Sequence, residues 1–337
     1  MNVLWMGNED LEFLTLGSAN VDTNSAHFRS GWSRCAIQAQ YFGSDTFYAR
    51  SYPFPGGTVT SAWLSFQALT SGVTTSTSII GLGLSGTPYW IGLETSASNA
   101  SKLTLVTYNG VSTTVLASEG GTSFGGVIQK FDMQVLNFGA SATVNVYVNN
   151  GLIISYSGST TISGMTNFDS VFIPNFLTGG GAGNFVDFSE FIVADSDTRA
   201  LLGLNTLALT GAGSTTSWTN NTYTNINGIN YSDLNPTYTN STAQDQEYTV
   251  GTVQPTVCAV VAVGISARMA ATAGSTPTHV KLGYGSGGTG HFGSGAQKTP
   301  TVAFGNFLQI DQTNPITSAA WTQGDLTAPL QLDIQSA

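Results

Sequence analysis

Charged side chains are scarce in this chain of 337 residues. They make up 8% of it, with nine Lys and Arg against 19 Asp and Glu, and the formal net charge is −10. Globular proteins usually carry about 25% charged residues. So few cations, scattered along the chain, cannot build the basic stripe that phosphate binding requires. We therefore predict no nucleic-acid partner.

Cysteines are few, and long apolar runs are missing. The two cysteines, Cys35 and Cys258, form no CxxC motif and no Cys/His cluster, which argues against a structural zinc site. We interpret both as small buried hydrophobic side chains, and a disulfide between two domains stays open as the alternative. No stretch approaches about 18 apolar residues, so no membrane partner or membrane span is predicted.

Helical periodicity is nearly absent, and strand patterns take its place. Thr143–Val148 alternates apolar and polar residues, and Asn149-Asn150-Gly151 supplies a hairpin turn to the partner strand. Asn109-Gly110 is a second hairpin turn. The other predicted strands of this half are Ala62–Ala68, Ser78–Leu84, Tyr89–Glu94, Lys102–Tyr108, Val111–Ala117, Phe131–Asn137, Leu152–Tyr156 and Phe185–Val193.

The length and a shift in composition predict two domains. Residues 1–198 form an all-β domain, and residues 195–202 give a short helix or a turn near its end. Residues 199–337 form a second, smaller β-sandwich-like domain. It includes an extended Thr/Asn-rich segment at residues 210–247 and predicted strands at Thr256–Arg268, His279–Tyr284, Thr301–Ile310 and Leu330–Ile334.

Catalytic groups are missing in recognisable form. A glycosidase needs two carboxylates that face one sugar, and the nearest pairs here are Asp187/Glu190, Asp195/Asp197 and Asp245/Glu247. The first pair has a spacing that points to opposite strand faces, the second lies in a predicted turn, and the third has no neighbouring acid or base. His27, His279 and His291 have no local triad partner. We predict no catalytic residues and no enzymatic activity.

No cofactor is predicted, although calcium stays open. Sandwich domains hold Ca²⁺ with loop carboxylates and backbone carbonyls. Four aspartates of the first domain are available, without a loop motif: Asp22, Asp45, Asp169 and Asp187.

Isolated aromatic residues in polar sequence are the candidates for contact with a glycan or a partner. Trp218, Tyr223, Tyr231 and Tyr238 lie in the Thr/Asn-rich segment, and exposed aromatic faces stack on sugar rings. Their alternative role is to anchor long loops onto the sheets. The glycine-rich run 283–295 predicts a hairpin tip that carries His291 and Phe292, two further candidates for such contact.

Three segments of the first domain resemble the late strands of a concanavalin A-like, laminin-G-like jelly roll. They are Phe131–Val135, Val144–Gly151 and Val186–Ala194. Four other segments resemble proteins encoded among bacteriophage virion genes: Leu4–Phe13, Phe28–Cys35, Val193–Arg199 and Ala320–Leu326. The resemblance implies a phage structural protein, such as a tail fibre or appendage or a head fibre or decoration protein. It supplies no catalytic residues.

The sequence thus predicts a non-enzymatic virion component exposed on the particle surface after assembly in the bacterial cytoplasm. Its expected partners are other virion proteins of the capsid or tail, further copies of itself in a homo-oligomer such as a trimer, and host surface polysaccharide. A free carbohydrate-binding lectin module and a polysaccharide depolymerase are the alternatives.

Overall fold

The computed structural model describes most of the chain. The described residues are 1–9, 12–15, 20–40, 49–71, 78–96, 98–121, 124–174, 185–201, 203–226, 233–234, 236–253, 259–272, 274, 277–286, 288–326 and 330–337. They form two compact units, one of residues 1 and 3–204 and the other of residues 2 and 205–337. The sequence places the boundary after residue 198, a few residues earlier than this division.

The first unit contains fifteen strands within its described residues. They are β1 (Val3–Gly7), β2 (Phe13–Thr15), β3 (Asn20–Asp22), β4 (Ala36–Gln40), β5 (Ala49–Ser51), β6 (Ala62–Ser71), β7 (Ser78–Gly83), β8 (Trp90–Ser96), β9 (Asn99–Tyr108), β10 (Thr113–Ser118), β11 (Gln129–Leu136), β12 (Ala142–Val148), β13 (Gly151–Gly158), β14 (Ser170–Ile173) and β15 (Phe185–Ala194).

Two antiparallel sheets form the sandwich of this unit. One has the order β13-β12-β11-β6-β15-β4-β3, and β1 also pairs with β15; the other has the order β10-β9-β8-β7-β14-β5-β2. Chain neighbours such as β11, β12 and β13 pair directly, whereas β15 inserts between β6 and β4. Residues distant in sequence therefore meet on adjacent strands.

Alternating apolar residues build the core of the first unit. Phe66 and Phe131 are cross-strand partners whose rings stack with centroids 5.1 Å apart, and the Phe188 ring lies 6.0 Å from Phe66. All three side chains are buried. Large aromatic side chains contribute most to core burial, at about 1.5–3 kcal/mol for each fully buried apolar side chain.

Turn chemistry fixes the hairpin registers. Asn149 and Asn150 have φ angles of 47° and 69° between β12 and β13, the left-handed conformation that this tight turn requires and that Asn tolerates. Gly110, at φ 89°, follows Asn109 between β9 and β10. Both predicted hairpins are present.

The second unit contains ten strands within its described residues. They are β16 (Leu209–Thr216), β17 (Asp245–Val250), β18 (Val263–Met269), β19 (Val280–Ser286), β20 (Thr289–His291), β21 (Gln297–Lys298), β22 (Gly305–Asp311), β23 (Thr313–Asn314), β24 (Ala319–Ala320) and β25 (Gln331–Ser336). The main sheet has the order β16-β17-β25-β19-β20, with β21 on β19, and β18 pairs with β22 in a separate ribbon.

The core of the second unit lies on one face of this main sheet. Leu282 and Tyr284 of β19 pack with Ile265 of β18, Trp321 and Leu326, and half-buried side chains of β22 and β25 extend the cluster. The Trp321 ring meets Tyr284 edge-on, with centroids 5.0 Å apart. The predicted all-β class, a jelly-roll sandwich followed by a smaller β-sandwich-like unit, is confirmed.

Two local predictions need correction. The segment 210–247 is extended but also contains most of β16 and the first half of β17, because main-chain pairing recruits its polar residues into the sheet. The strand predicted at Thr256–Arg268 begins at Val263, and residues 254–258, with Cys258, lie outside the described part. Over residues 195–201, where a short helix or a turn was predicted, the chain forms bends and a turn. No helix among the described residues is long and apolar enough to cross a membrane.

Candidate functional site

Trp218 and Tyr238 lie on two neighbouring segments of the second unit. The main chains of Thr219 and Tyr238 exchange two hydrogen bonds, of 2.8 and 3.1 Å, in an isolated β-bridge. The Trp218 ring is half-buried, and its indole Nε1–H donates to the carbonyl of Gln244 at 3.0 Å. Trp218 therefore anchors this loop, which was the alternative role for it.

Tyr238 has the opposite environment. Its side chain is 55% exposed, and its neighbours Thr219, Asn220 and Asn240 are exposed as well. The Asn220 side-chain amide donates to the carbonyl of Pro236 at 3.1 Å, which fixes one segment against the other. The bridged loops thus present an aromatic ring among amide and hydroxyl groups, the combination that a sugar surface can contact through stacking and hydrogen bonds.

The remaining predicted contact residues are placed differently. Tyr223 begins a short 3-10 helix, Tyr223–Asn225, and is half-buried. Tyr231 lies outside the described residues. His291 ends β20, and the half-buried Phe292 follows it with the Lys281 ammonium 5.5 Å from its ring centroid. Neither residue is at the hairpin tip, because the turn lies before β20, close to Gly288.

A buried carboxyl pair lies on the main sheet of the second unit. Glu247 of β17 and Asp333 of β25 are direct cross-strand partners, 1% and 0% exposed. Burial, with the negative charges of Asp245 and Glu247, raises the pKa of Asp333 to about 7. The prediction that Asp245 and Glu247 have no neighbouring acid was wrong, because the partner strand β25 comes from the other end of the unit.

Burial of this pair prevents a role at a solvent-facing catalytic site. Gly285 and Gly290 approach the two carboxyl groups so closely that a Cβ on either glycine would overlap a carboxyl oxygen. Glu247 Oε2 accepts a hydrogen bond from the Thr215 amide at 2.8 Å. The two acids are therefore enclosed by the unit itself, and a sugar chain cannot reach them.

The first unit assembles a histidine and two aspartates at the edge of its larger sheet. Asp22 ends the edge strand β3, His27 lies in the turn after it, and Asp187 lies on β15. His27 Nδ1 is 2.5 Å from Asp22 Oδ2 and 3.2 Å from Asp187 Oδ2. One ligand atom from each of the three side chains falls within 4.8 Å of the others, an arrangement able to hold a metal ion. We call these residues the Asp–His–Asp cluster.

Gln38 of β4 lies between the two aspartates. Its Nε2 donates to Asp22 Oδ2 and to Asp187 Oδ1, each at 3.0 Å. The Phe185 ring covers one side of the His27 imidazole, with ring centroids 4.9 Å apart. Burial raises the pKa of Asp187 to about 7, while Gln38 and His27 lower it and the Asp22 charge raises it. Gln38 is the cross-strand partner of Asp187 on β15 and of Asn20 on β3, so the three strands β15, β4 and β3 lie side by side.

This cluster was not predicted as a unit. Asp22 and Asp187 were two of the four aspartates available for calcium, and His27 was expected to have no local triad partner. Asp169 instead accepts from the Ser85 amide and hydroxyl at 2.7 and 2.6 Å, and Asp45 lies outside the described residues. Only the proximity of Asp22 and His27 could have been recognised in the sequence, because the two residues lie in one short segment. Asp187 lies beside them because β15 pairs with β4.

The two other carboxylate pairs weighed in the sequence engage separate partners. Glu190, in a left-handed conformation at a bulge of β15, makes a two-pronged ion pair with Arg29. Asp197 pairs with Arg199, and Asp195 accepts from the Ser196 hydroxyl at 2.9 Å. The side chains of Asp187 and Glu190 therefore have separate partners.

Comparison with known proteins yields distant likenesses in structure. No protein-family model matches the chain, and no curated protein matches it. An endo-β-1,4-glucuronan lyase from Trichoderma reesei shares 12% identity at a TM-score of 0.38, over 58% of this chain and 96% of that one. The carbohydrate-binding module CBM66 from Bacillus subtilis shares 7% at 0.37, over 55% and 96%. The alginate lyase Aly36B shares 9% at 0.38, over 61% and 100%.

Polysaccharide lyases and a carbohydrate-binding module are thus among the solved structures that this chain is similar to. At these identities and TM-scores the likeness assigns neither a ligand nor a reaction to this chain.

Proposed function

We propose that this chain is a non-enzymatic structural component of a bacteriophage particle that adheres to host surface polysaccharide. The exposed Tyr238 ring, set among amide and hydroxyl groups on two bridged loops, carries the adhesive part of the proposal. The scarcity of charge also supports it, because a surface with few charged side chains and many hydroxyl and amide groups suits contact with sugars and with repeated subunits.

The structural part of the proposal rests on the sequence resemblance to phage virion proteins. It expects further copies of this chain and other capsid or tail proteins as partners. Electron microscopy of purified particles tests it, at a resolution that allows the chain to be traced. Density on the capsid or at the tail is the expected result, whereas particles that lack the chain would leave the free lectin module as the better reading.

Polysaccharide binding is tested on the purified full chain with surface polysaccharide extracted from the bacterial host. Tyr238→Ala is expected to weaken binding about tenfold, equivalent to roughly 1.4 kcal/mol, because the stacking face is lost. Val302→Ala is the matched control, since Val302 is a similarly exposed apolar residue of the same unit, at 69%. Equal binding by the wild type and both variants would remove Tyr238 from the site.

The depolymerase alternative predicts a different result from the same incubation. A depolymerase releases oligosaccharides, which size-exclusion chromatography of the polysaccharide detects. We expect the polysaccharide to keep its length, because the carboxyl pair of the second unit is enclosed and the sequence-adjacent Asp187 and Glu190 of the first unit have separate partners.

A further inference from the structure

The Asp–His–Asp cluster has the donor set of a metal centre. Two carboxylate oxygens and one imidazole nitrogen converge within 4.8 Å. Carboxylate and imidazole groups together are ligands that Zn²⁺ takes at about 2.0–2.2 Å. In a tetrahedral site this places neighbouring ligand atoms about 3.3 Å apart. The 3.2 Å between His27 Nδ1 and Asp187 Oδ2 already fits, and Asp22 Oδ2, at 2.5 Å from the same nitrogen, needs a small outward shift.

A second observation points to a ligand at this place. Asp187 Oδ2 is buried in a side chain that is 0% exposed, and within the described part of the chain it accepts no hydrogen bond. It faces His27 Nδ1, which also faces Asp22 Oδ2 at a shorter distance. One N–H cannot donate fully to both oxygens, and a buried carboxylate oxygen without a donor is costly.

The charge balance of the cluster favours a cation. Asp22 and Asp187 bring two carboxylates, and neither forms an ion pair with a Lys or Arg among the described residues. The donor at the far oxygen of Asp187 is the neutral Gln38 amide. A divalent ion between the three side chains would satisfy Asp187 Oδ2 and compensate both carboxylates.

We propose that Asp22, His27 and Asp187 form a zinc-binding site at the edge of the first unit. Gln38 orients both carboxylates through its two hydrogen bonds. Asp22 and His27 are 16% and 21% exposed, so an ion reaches the site from solvent while Asp187 lies beneath.

The donor set favours zinc over calcium. Calcium takes six to eight oxygen ligands and seldom an imidazole nitrogen, whereas the cluster offers three side chains, one of them a histidine. Three protein ligands suffice to hold zinc when a water occupies the fourth position, as in catalytic zinc sites. The ion would fasten edge strand β3 and its following turn to β15, so its expected role is to stabilise the first unit.

The test uses the tag-free full chain, first treated with a chelator and dialysed. Isothermal titration with ZnCl₂ is expected to give one site per chain, and the thermal unfolding temperature of the first unit is expected to rise with zinc. The same titration with CaCl₂ is expected to give no comparable heat. Calcium binding in preference to zinc would overturn the zinc assignment.

Two variants locate the site, and a third variant serves as the control. His27→Ala and Asp22→Asn are each expected to weaken zinc binding at least tenfold, with circular dichroism confirming that the partly exposed substitutions leave the fold intact. His279→Ala removes a histidine of the second unit and is expected to bind like the wild type. Unchanged zinc binding in both His27→Ala and Asp22→Asn, or no zinc binding by the wild type, would refute the proposal.

Discussion

Asp333 is an acid without solvent contact that has two acidic neighbours on the adjacent strand. Both of its carboxyl oxygens lack a hydrogen-bond partner among the residues described for this unit, and burial together with the charges of Asp245 and Glu247 raises its pKa to about 7. Gly290 of β20 lies against the Asp333 carboxyl group and adds no charge. The neutral, protonated acid is therefore the form that suits the folded chain.

This pKa predicts how the stability of the second unit depends on pH. Between about pH 4 and pH 7 the folded chain binds a proton that the unfolded chain has released, so the free energy of unfolding falls as pH rises through this window. Asp333→Asn cannot ionise, so at pH 8 we expect its free energy of unfolding to exceed that of the wild type by on the order of 2 kcal/mol. This is less than the whole pKa shift represents, because the polar Asn amide must be buried in place of the carboxyl group.

Urea unfolding at pH 5 and pH 8, followed by tryptophan fluorescence, measures the effect. Asp325→Asn is the control, since the Thr322 hydroxyl and amide lower the pKa of Asp325. That variant should keep the wild-type fall in stability between the two pH values. An Asp333→Asn variant with the same pH dependence as the wild type would contradict the assignment.

Gly203 lies so close to the ion pair of Arg29 and Glu190 that no side chain fits at this position. It adopts φ 152°, and a Cβ there would overlap both Arg29 Nη2 and Glu190 Oε2. We expect Gly203→Ala to lower the free energy of unfolding of the first unit by about 2–3 kcal/mol, because the backbone is strained and the ion pair must move. Chemical denaturation measures this. Gly120→Ala, where nothing lies within 4 Å of the added carbon, should change stability little.

At the scale of elements, polar contacts fix the turn segment 195–201 to strand β11. Thr198 Oγ1 donates to the buried Asp132 at 2.7 Å, and Lys130 Nζ donates to Asp132 and to the carbonyls of Thr198 and Arg199. The Arg199 guanidinium carbon lies 4.4 Å from the Tyr147 ring centroid. The segment after β15 is thus held on the sheet by charge-assisted bonds and a cation–π contact.

Thr198→Val tests this attachment with nearly unchanged volume. Losing a hydrogen bond to a charged group costs about 1.5–3 kcal/mol, so local opening should become more frequent and trypsin cleavage after Arg199 should accelerate about tenfold. The cleavage rate under native conditions is the measurement. Thr161→Val, at an exposed position, is the control, and equal cleavage rates in both variants would disprove the attachment.

At the scale of the whole molecule, the chain builds two separate hydrophobic cores. The core of the second unit consists of residues from 207 to 334. Trp321 is 3% exposed there, and its Nε1–H donates to the carbonyl of Asp311 at 2.9 Å. Each unit therefore has the burial that a cooperative folding unit needs.

Trp321→Ala should act on one unit alone. Removing a buried tryptophan costs about 3–5 kcal/mol, so calorimetry of the full chain should show the transition of the second unit moved to lower temperature while that of the first unit stays. Trp90→Ala, in the buried cluster with Val106 and Phe172 of the first unit, should produce the converse. A common shift of both transitions in either variant would show that the two units unfold together.

The sequence by itself determined the all-β class, the hairpins and most strands, because these depend on local patterns. Alternation over Thr143–Val148 and the left-handed tolerance of Asn149 and Asn150 act within a few residues. The scarcity of charge and the isolated aromatic residues could likewise be recognised without a structure. Which of those aromatic residues are exposed could not, since burial depends on the loops that pack beside them.

Only the tertiary structure decided the two carboxyl clusters. Asp187 reaches Asp22 and His27 because β15 inserts beside β4, and Asp333 faces Glu247 because β25 pairs with β17. Strand order in a sheet is set by the packing of the whole core, and no short-range pattern encodes it. A cluster formed by side chains of one loop can therefore be predicted from the sequence. A cluster formed across paired strands can be recognised only in the folded structure.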